Sequence, residues 1–531
     1  MMATKVSPKA SFEASRARVE TVLGFLEGEE AAALSHSELE TYLESEGRDL
    51  MRILLQDHLY MRAMREHRIE GIADAQGIPR NSVEFGKKRT LTTVFGDVEV
   101  QRAAYRRRGP FANIYLADAL LNLPDEQHSH GLRRLAAIEA SRGSFDDAVG
   151  AIERATGVHL GKRQAEEHVQ RAATDFDSFY VNSSRPQAGP DDVIVLSADG
   201  KGIVMRPEAL RPATAKAAQC TGPSARLSKG EKRNRKRMAE VGAVYYATPV
   251  PRTPQDILST GHNTAGQSKS GPVAKGKWLT ASVVENTAAV VSQVFDEAQR
   301  RDPEFLKAWV VLVDGNNHQL DCIRNEAQAR GVSVNIVIDF VHVLEYLWKA
   351  ARSFYNEGDP AAEDWVAGKA AGVLSGEASI VAASIRRKAT CLNLSLGRRD
   401  GADTCADYLL HKTPYLNYHI ALKEGWPIAT GLIEGACRHL IKDRMDITGA
   451  RWGLKGAEAI LKLRALCKNG DFDAYWTYHI AQERRRVHEI RYANGIIPHV
   501  ACLTPSQVCT NSCGHSANRR LRDRALKIVP A

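Results

Sequence analysis

The chain lacks long apolar runs. No stretch of its 531 residues is apolar for long enough to span a bilayer, and the start, M-M-A-T-K-V-S-P-K-A, has no apolar signal core. It also lacks paired cysteines. Its nine (Cys220, Cys322, Cys391, Cys405, Cys437, Cys467, Cys502, Cys509 and Cys513) are scattered, odd in number and free of any C-x-x-C spacing. That pattern argues against a disulfide framework and for a reducing compartment. These absences lead us to expect a cytoplasmic protein with no membrane partner. Apolar residues are otherwise plentiful, at 44%. A chain of this length has ample material for two to four cores. The net charge of +9 favours an anionic partner, and the positive charge is clustered.

Periodicity and composition divide the chain. Residues 1–88 read as an N-terminal helical region. Residues 89–125 read as a β-hairpin and linker, with the turn expected at Gly96-Asp97 and a basic continuation in Arg106, Arg107 and Arg108. Residues 126–190 read as a helix-turn-helix-like DNA-binding domain. Phe145, Val149 and Ile152 share one helix face, Gly157–Leu160 makes a turn, and Lys162, Arg163 and Gln164 open the next helix. Polar residues at such a helix start can face a DNA groove, although two packed amphipathic helices give the same pattern.

Residues 191–342 predict an α/β catalytic core. Strands are expected at 193–206, 237–248, 277–284, 309–314 and 334–340, with helices at 286–300 and 318–330. The order β-β-β-α-β-α-β matches an RNase H-like sheet. A loop at 206–236 interrupts its first hairpin and carries Lys232, Arg233, Arg235, Lys236 and Arg237. Such a basic run is either a solvated surface or a phosphate-contacting arm. Residues 343–425 predict a helical insertion, 426–470 the return to the core, and 471–531 a C-terminal helix and tail.

Three carboxylates stand out. Val193–Ala198 leads into Asp199-Gly200, and Trp309–Val313 leads into Asp314-Gly315. Apolar runs closed by Asp-Gly read as buried strands delivering an acid to the carboxyl end of a sheet, where α/β proteins place ligands. Glu434 sits where Thr430-Gly431-Leu432-Ile433 passes from loop to helix, with Arg438 and Lys442 four and eight residues on. Three hard oxygen donors suit Mg2+ or Mn2+, and a two-ion site suits phosphodiester chemistry. Asp339 ends another apolar strand with His342 one turn on. The pair reads as a helix N-cap or as groups orienting the site from behind.

Taken together, the stretches V-I-V-L-S-A-D-G-K-G (193–202), V-V-L-V-D-G-N-N-H (310–318), I-D-F-V-H-V (338–343), T-G-L-I-E-G-A-C-R-H-L-I-K-D-R-M (430–445) and T-G-A-R-W-G (448–453) resemble bacterial insertion-sequence transposases of the ISKra type, in the Mutator-like DDE class. The resemblance runs from about residue 85 to 480. It implies an RNase H-like core split by a helical insertion, with Asp199, Asp314 and Glu434 as catalytic and metal-binding triad and two bound ions. Asp339 and His342 would match the family's D-x-x-H element, and Arg451 and Trp452 a segment that packs the glutamate helix or touches DNA. The resemblance further implies binding to terminal inverted repeats and target DNA, a homodimer or higher assembly, and a place at the bacterial nucleoid. Two other classes stay open. One is a non-catalytic DNA-binding regulator or decayed transposase; the other is an actin-like or sugar-kinase ATPase, whose first hairpin also carries Asp-Gly.

Overall fold

A computed structural model of the chain describes residues 12–220, 235–258, 270–447 and 449–498. Lys232 and Arg233 lie outside the described residues. The chain divides into two compact units. One comprises residues 1–57, 90–98 and 124–483; the other comprises 58–89, 99–123 and 484–531.

In the second unit, β1 (Ser82–Thr93) and β2 (Gly96–Arg106) carry the stem of the hairpin, whose tip belongs to the first unit. A short β3 (Ile114–Tyr115) pairs antiparallel with β2, with Ala104 opposite Tyr115. Ile72, Ala103, Tyr105, Ile114, Leu116 and Tyr492 form its core. The turn falls on Val94-Phe95, not on Gly96-Asp97 as expected. The Thr93 hydroxyl explains the displacement: it donates to the Gly96 carbonyl (2.8 Å) and accepts from the Phe95 amide (3.1 Å). Such a local bond substitutes for a backbone turn. Gly96 then starts β2 at φ +113°.

The N-terminal helices Glu13–Leu26, Glu29–Ala32 and His36–Arg65 end well short of residue 88, since β1 already begins at Ser82. Beyond the hairpin tip, the first unit continues with His130–Arg142, Phe145–Thr156 and Lys162–Ala172. Gly157 closes the middle helix in the left-handed region (φ 69°), where a side chain would be strained, and a Ser144–Asp147 capping box opens it.

A five-stranded mixed sheet organises this unit, so the fold is mixed α/β. Its strands are β4 (Val193–Val204), β5 (Lys236–Ala247), β6 (Ala274–Ser282), β7 (Trp309–Val313) and β8 (Val334–Ile338). They lie in the order β6-β5-β4-β7-β8, with β4, β5 and β6 antiparallel and β4, β7 and β8 parallel. Side chains alternate across β4. Ile194, Leu196 and Ala198 join a core with the helices Thr287–Arg301 and Leu454–Asn469, while Val193 and Val195 join one with Phe340–Ala351, Ala378–Cys391 and Leu396–Lys412. Both faces are therefore buried, which is why these strands read as unbroken apolar runs.

The excursion between Asp339 and Thr430 is helical. It closes at a neck, where the Phe340 amide donates to the Ile428 carbonyl at 2.9 Å. All five cysteines whose state is described are free, and among the described residues no helix is long and apolar enough to cross a membrane.

Candidate functional site

Strand register aligns three aspartates. Ser197 in β4 pairs with Leu312 in β7, and two residues further along each strand come Asp199 and Asp314. Val313 pairs with Ile338, and one residue further come Asp314 and Asp339. The Asp339 amide extends that ladder by donating to the Val313 carbonyl at 2.8 Å. Neighbouring strands are about 4.8 Å apart, so the three acids form a row along one sheet edge.

The three acids differ in how they are satisfied. Asp339 is fully buried and has both oxygens occupied: Oδ1 accepts from the Val341 amide (2.9 Å), capping the next helix, and Oδ2 accepts from the Thr430 hydroxyl. Asp314 has a side chain 38% exposed. Its Oδ1 accepts from the Asn316 amide at 2.9 Å, while Oδ2 faces His342 Nε2 at 3.9 Å. The histidine one turn after Asp339 thus faces the neighbouring aspartate. Its Nδ1 lies 3.3 Å from Glu345 without hydrogen-bond alignment. Asp199 accepts from the Gly200 amide (2.6 Å) and from the Cys437 thiol (3.2 Å).

The glutamate arrives on a composite helix. Gly431–Ala436 is α-helical, Cys437–Lys442 widens to a π-helix, and Asp443–Met445 tightens again. Before it, Thr430 Oγ1 stands 3.3 Å from Glu434 Oε1 while donating to Asp339. Three residues after Glu434, Cys437 reaches Asp199. One short segment therefore touches both outer aspartates of the row and carries the exposed Glu434 between those two contacts. Burial and the neighbouring Asp199 push the Cys437 thiol well up, so it stays a protonated donor. Two π-turn carbonyls, those of Leu440 and His439, accept from the buried Arg464 guanidinium, which also bonds the Ser141 carbonyl.

Several contributors escaped the sequence reading. Glu240 stands opposite Gly200 in the β4–β5 ladder, and its Oε1 accepts from the Thr287 hydroxyl at 3.1 Å. A side chain on Gly200 would meet Glu240 Oε2 at 3.0 Å, so the glycine makes room for this fourth acid. Burial raises the Glu240 carboxyl and Asp199 adds to it, against the Thr287 hydroxyl, Arg211 and His318. The available signal was a lone acid in the apolar strand M-A-E-V-G-A-V. Thr430, Cys437, Tyr408 and Lys412 left no signal of that kind. Asn316 caps the helix Asn317–Arg330, and Asn317 accepts from the buried Lys412 ammonium.

The basic residues sort by partner. Arg438 is 70% exposed and only loosely paired with Asp443, at 3.8 Å. Lys442, Arg451 and Arg108 are exposed. Arg163 is exposed beside Glu167 (3.3 Å), Lys162 pairs with Asp146 (2.6 Å), and Gln164 accepts from the Gly161 amide (3.1 Å). Arg106 pairs with Glu84 at 2.7 Å.

Five expected DNA contacts have other tasks here. Arg107 is tied to Asp74 (2.9 Å) and lies over the Phe111 ring. Arg237 spends its guanidinium on the Val283, Ala209 and Val284 carbonyls. Arg235 and Lys236 are half-buried where β5 begins, and Lys236 covers Gly202. Trp452 is buried, donates to the Met445 carbonyl at 3.0 Å and bridges the end of β4, so it packs the glutamate helix.

The donor set consists of hard carboxylate oxygens, the chemistry that magnesium and manganese favour. Among the described residues, no three His, Cys, Asp or Glu side chains converge tightly enough to hold an ion as they stand. Two carboxylates do converge on the single proton of Thr430, and Glu240 adds a fourth acid beside Asp199. Carboxylates this close repel one another, and a bound cation removes that cost. Comparison of the chain with protein-family models and with curated proteins finds no match.

Proposed function

We propose that this chain is a metal-dependent DNA nucleotidyl transferase, a DDE-type transposase of the ISKra kind that cuts element ends and joins them to target DNA. The observation that carries the reading is the anchoring of the Glu434 segment at both ends of the aspartate row, through Thr430 to Asp339 and through Cys437 to Asp199. The strand order β6-β5-β4-β7-β8, with the first three strands antiparallel and the last two parallel to β4, supports an RNase H-like core.

On this reading Asp199, Asp314 and Glu434 would hold two Mg2+ or Mn2+ ions. When bound, these would neutralise charge developing at the phosphate and lower the cost of deprotonating the attacking hydroxyl. The chain's own groups do the rest. Asp339 and Thr430 fix the start of the glutamate helix. Cys437 holds one oxygen of Asp199, leaving Oδ1 to the Gly200 turn. His342 flanks Asp314, with Nε2 3.9 Å from Oδ2. Arg438, Lys442 and Arg451 are exposed cations on or just after the glutamate helix, suited to a phosphate backbone. Cutting and joining would both be in-line displacements at phosphorus, by water and then by the freed 3′-hydroxyl. The partners are double-stranded terminal inverted repeats and target DNA, and two ends joined in one event call for a homodimer or higher assembly at the nucleoid.

The test uses duplexes carrying the DNA that flanks this protein's gene. Asp199→Ala, Asp314→Ala and Glu434→Ala should each abolish Mg2+- or Mn2+-dependent nicking while duplex binding persists. Nicking by any of the three removes that residue from the role. Binding without nicking by the parent chain, under both metals, would favour the DNA-binding regulator instead. ATP binding by the purified chain would favour the kinase-like class.

A further inference from the structure

The insertion helix Leu396–Lys412 returns to the middle of the row, beside Asp314, with two polar side chains one turn apart, Tyr408 and Lys412. Lys412 is buried and donates to Asn317, at the start of the helix that follows Asp314. Burial lowers this ammonium, and Asp314 works against that shift.

Tyr408 is less readily explained. Its ring stacks on Tyr346 with centroids 3.8 Å apart and planes 11° from parallel, so the ring is held in one orientation. Its hydroxyl is buried and has no hydrogen-bond partner. A buried phenol left unpaired is costly relative to one that is bonded. Such groups call for a reason, and a role absent from the resting arrangement is one.

The surroundings supply the reason. The hydroxyl lies against Gly315: a Cβ there would come 3.5 Å from it, and the glycine's φ of +89° is one that side chains rarely adopt. The two nearby carboxylates acting on the phenol are Asp314 and Asp339. Asp339 has both oxygens occupied, whereas Asp314 Oδ2 has only His342 at 3.9 Å.

We propose that the Tyr408 hydroxyl is a positioning residue for Asp314: in the working site this carboxylate turns over Gly315 and accepts the tyrosine's hydrogen bond, which fixes the direction of its other oxygen. The inference rests on reading Asp314 as an acid of the nucleotidyl-transfer site. It gives the insertion a direct part in that site.

Tyr408→Phe tests it in the full-length chain, because phenylalanine keeps the stack and removes only the hydroxyl. Without divalent ions, the variant should unfold at the parent's temperature or slightly above it, since no bond is lost. With Mn2+ and flanking-DNA duplex, its kcat should fall roughly ten- to hundredfold and the Mn2+ concentration for half-maximal nicking should rise, as for other groups that orient a metal ligand. Duplex affinity should not change. Parent-like kcat overturns the proposal. So does an ion-free unfolding temperature several degrees below the parent's, which would reveal an ordinary structural bond. Asp314→Ala, run alongside, separates the two levels. If it is inactive while Tyr408→Phe is active, only the tyrosine's part fails; if Asp314→Ala nicks normally, the underlying reading fails with it.

Discussion

Replacing Thr430 by valine isolates the bond that ties the glutamate helix to the aspartate row. Thr430 is 5% exposed and Asp339 is fully buried, so water cannot take the hydroxyl's place. Valine preserves the shape of threonine and removes the donor. Asp339 Oδ1 keeps the Val341 amide, but Oδ2 is left in an apolar setting with nothing to accept from. A hydrogen bond to a buried charged group contributes about 1.5–3 kcal/mol. The 3.3 Å contact to the exposed Glu434 adds little, because the one proton is already committed to Asp339. We therefore expect Thr430→Val to destabilise this unit by about 2 kcal/mol, a fall of roughly 2 °C or more in unfolding temperature for a unit of this size. Nicking should fall further than stability does, because the helix start can shift, and displacements near 1 Å can cost about a hundredfold in rate. Thr430→Ser keeps the hydroxyl and should recover both. The assays are thermal unfolding followed by tryptophan fluorescence and nicking of flanking-DNA duplex. The reasoning is refuted if valine unfolds within about 1 °C of the parent, or if serine is the worse of the two.

Other perturbations bear on parts of the same unit. His168 is buried with neither ring nitrogen bonded, and burial, with His128 and Arg133, holds its pKa down at about 4. A depressed histidine favours the folded state above its unfolded pKa and withdraws that stability as pH falls. Between pH 6.5 and 4 the protein should lose stability, by about 2 kcal/mol at pH 5, and His168→Leu should flatten that slope in urea melts; an unchanged slope would remove the residue from the acid response. Arg464→Met strips three carbonyls of their donor and should expose Cys437 to alkylation, read by peptide mass, whereas Arg464→Lys should protect it partly; equal protection in all three proteins would mean the π-turn stands unaided. Gly242→Ala would bring a methyl within 2.5 Å of Val294, a core overpacking worth about 1–3 kcal/mol, and a neutral result in thermal unfolding would contradict that packing.

The sequence made the sheet legible because its strands are buried on both faces and closed by Asp-Gly or a helix cap. Runs expected at 193–206, 309–314 and 334–340 are strands at Val193–Val204, Trp309–Val313 and Val334–Ile338. Positions set by distant partners were not legible. Cys437 reaches Asp199 across 238 residues of chain, and no local pattern marks a thiol for that contact. Glu240 matters through its register with Gly200, which becomes known only once two strands pair. Charge was legible, but its use was not. Arg237 and Arg107 counted as free cations until a set of carbonyls and an aspartate claimed them.

Asp314 and Asp339 look alike in the sequence, since each ends an apolar strand and each is followed by a helix. Their solvation separates them. A carboxylate that is to bind a hydrated ion must keep a lone pair available and be reachable by solvent. Asp314 meets both demands, with its side chain 38% exposed and Oδ2 meeting only His342. Asp339 fails the second: it is fully buried, with its oxygens bonded to Val341 and Thr430 and no solvent route to them. Those same two bonds stand at the neck where the helical insertion leaves and rejoins the core, beside the Phe340–Ile428 pair. Ninety residues can depart at Asp339 and return at Thr430 without moving Glu434, because the two ends of that loop are bonded to each other. A longer or shorter insertion would change the closure entropy only as the logarithm of its length and leave the neck intact. Asp339 is thus the clasp that lets a helical module be inserted beside the row, and Asp314 is the aspartate that, on the proposed function, faces the substrate.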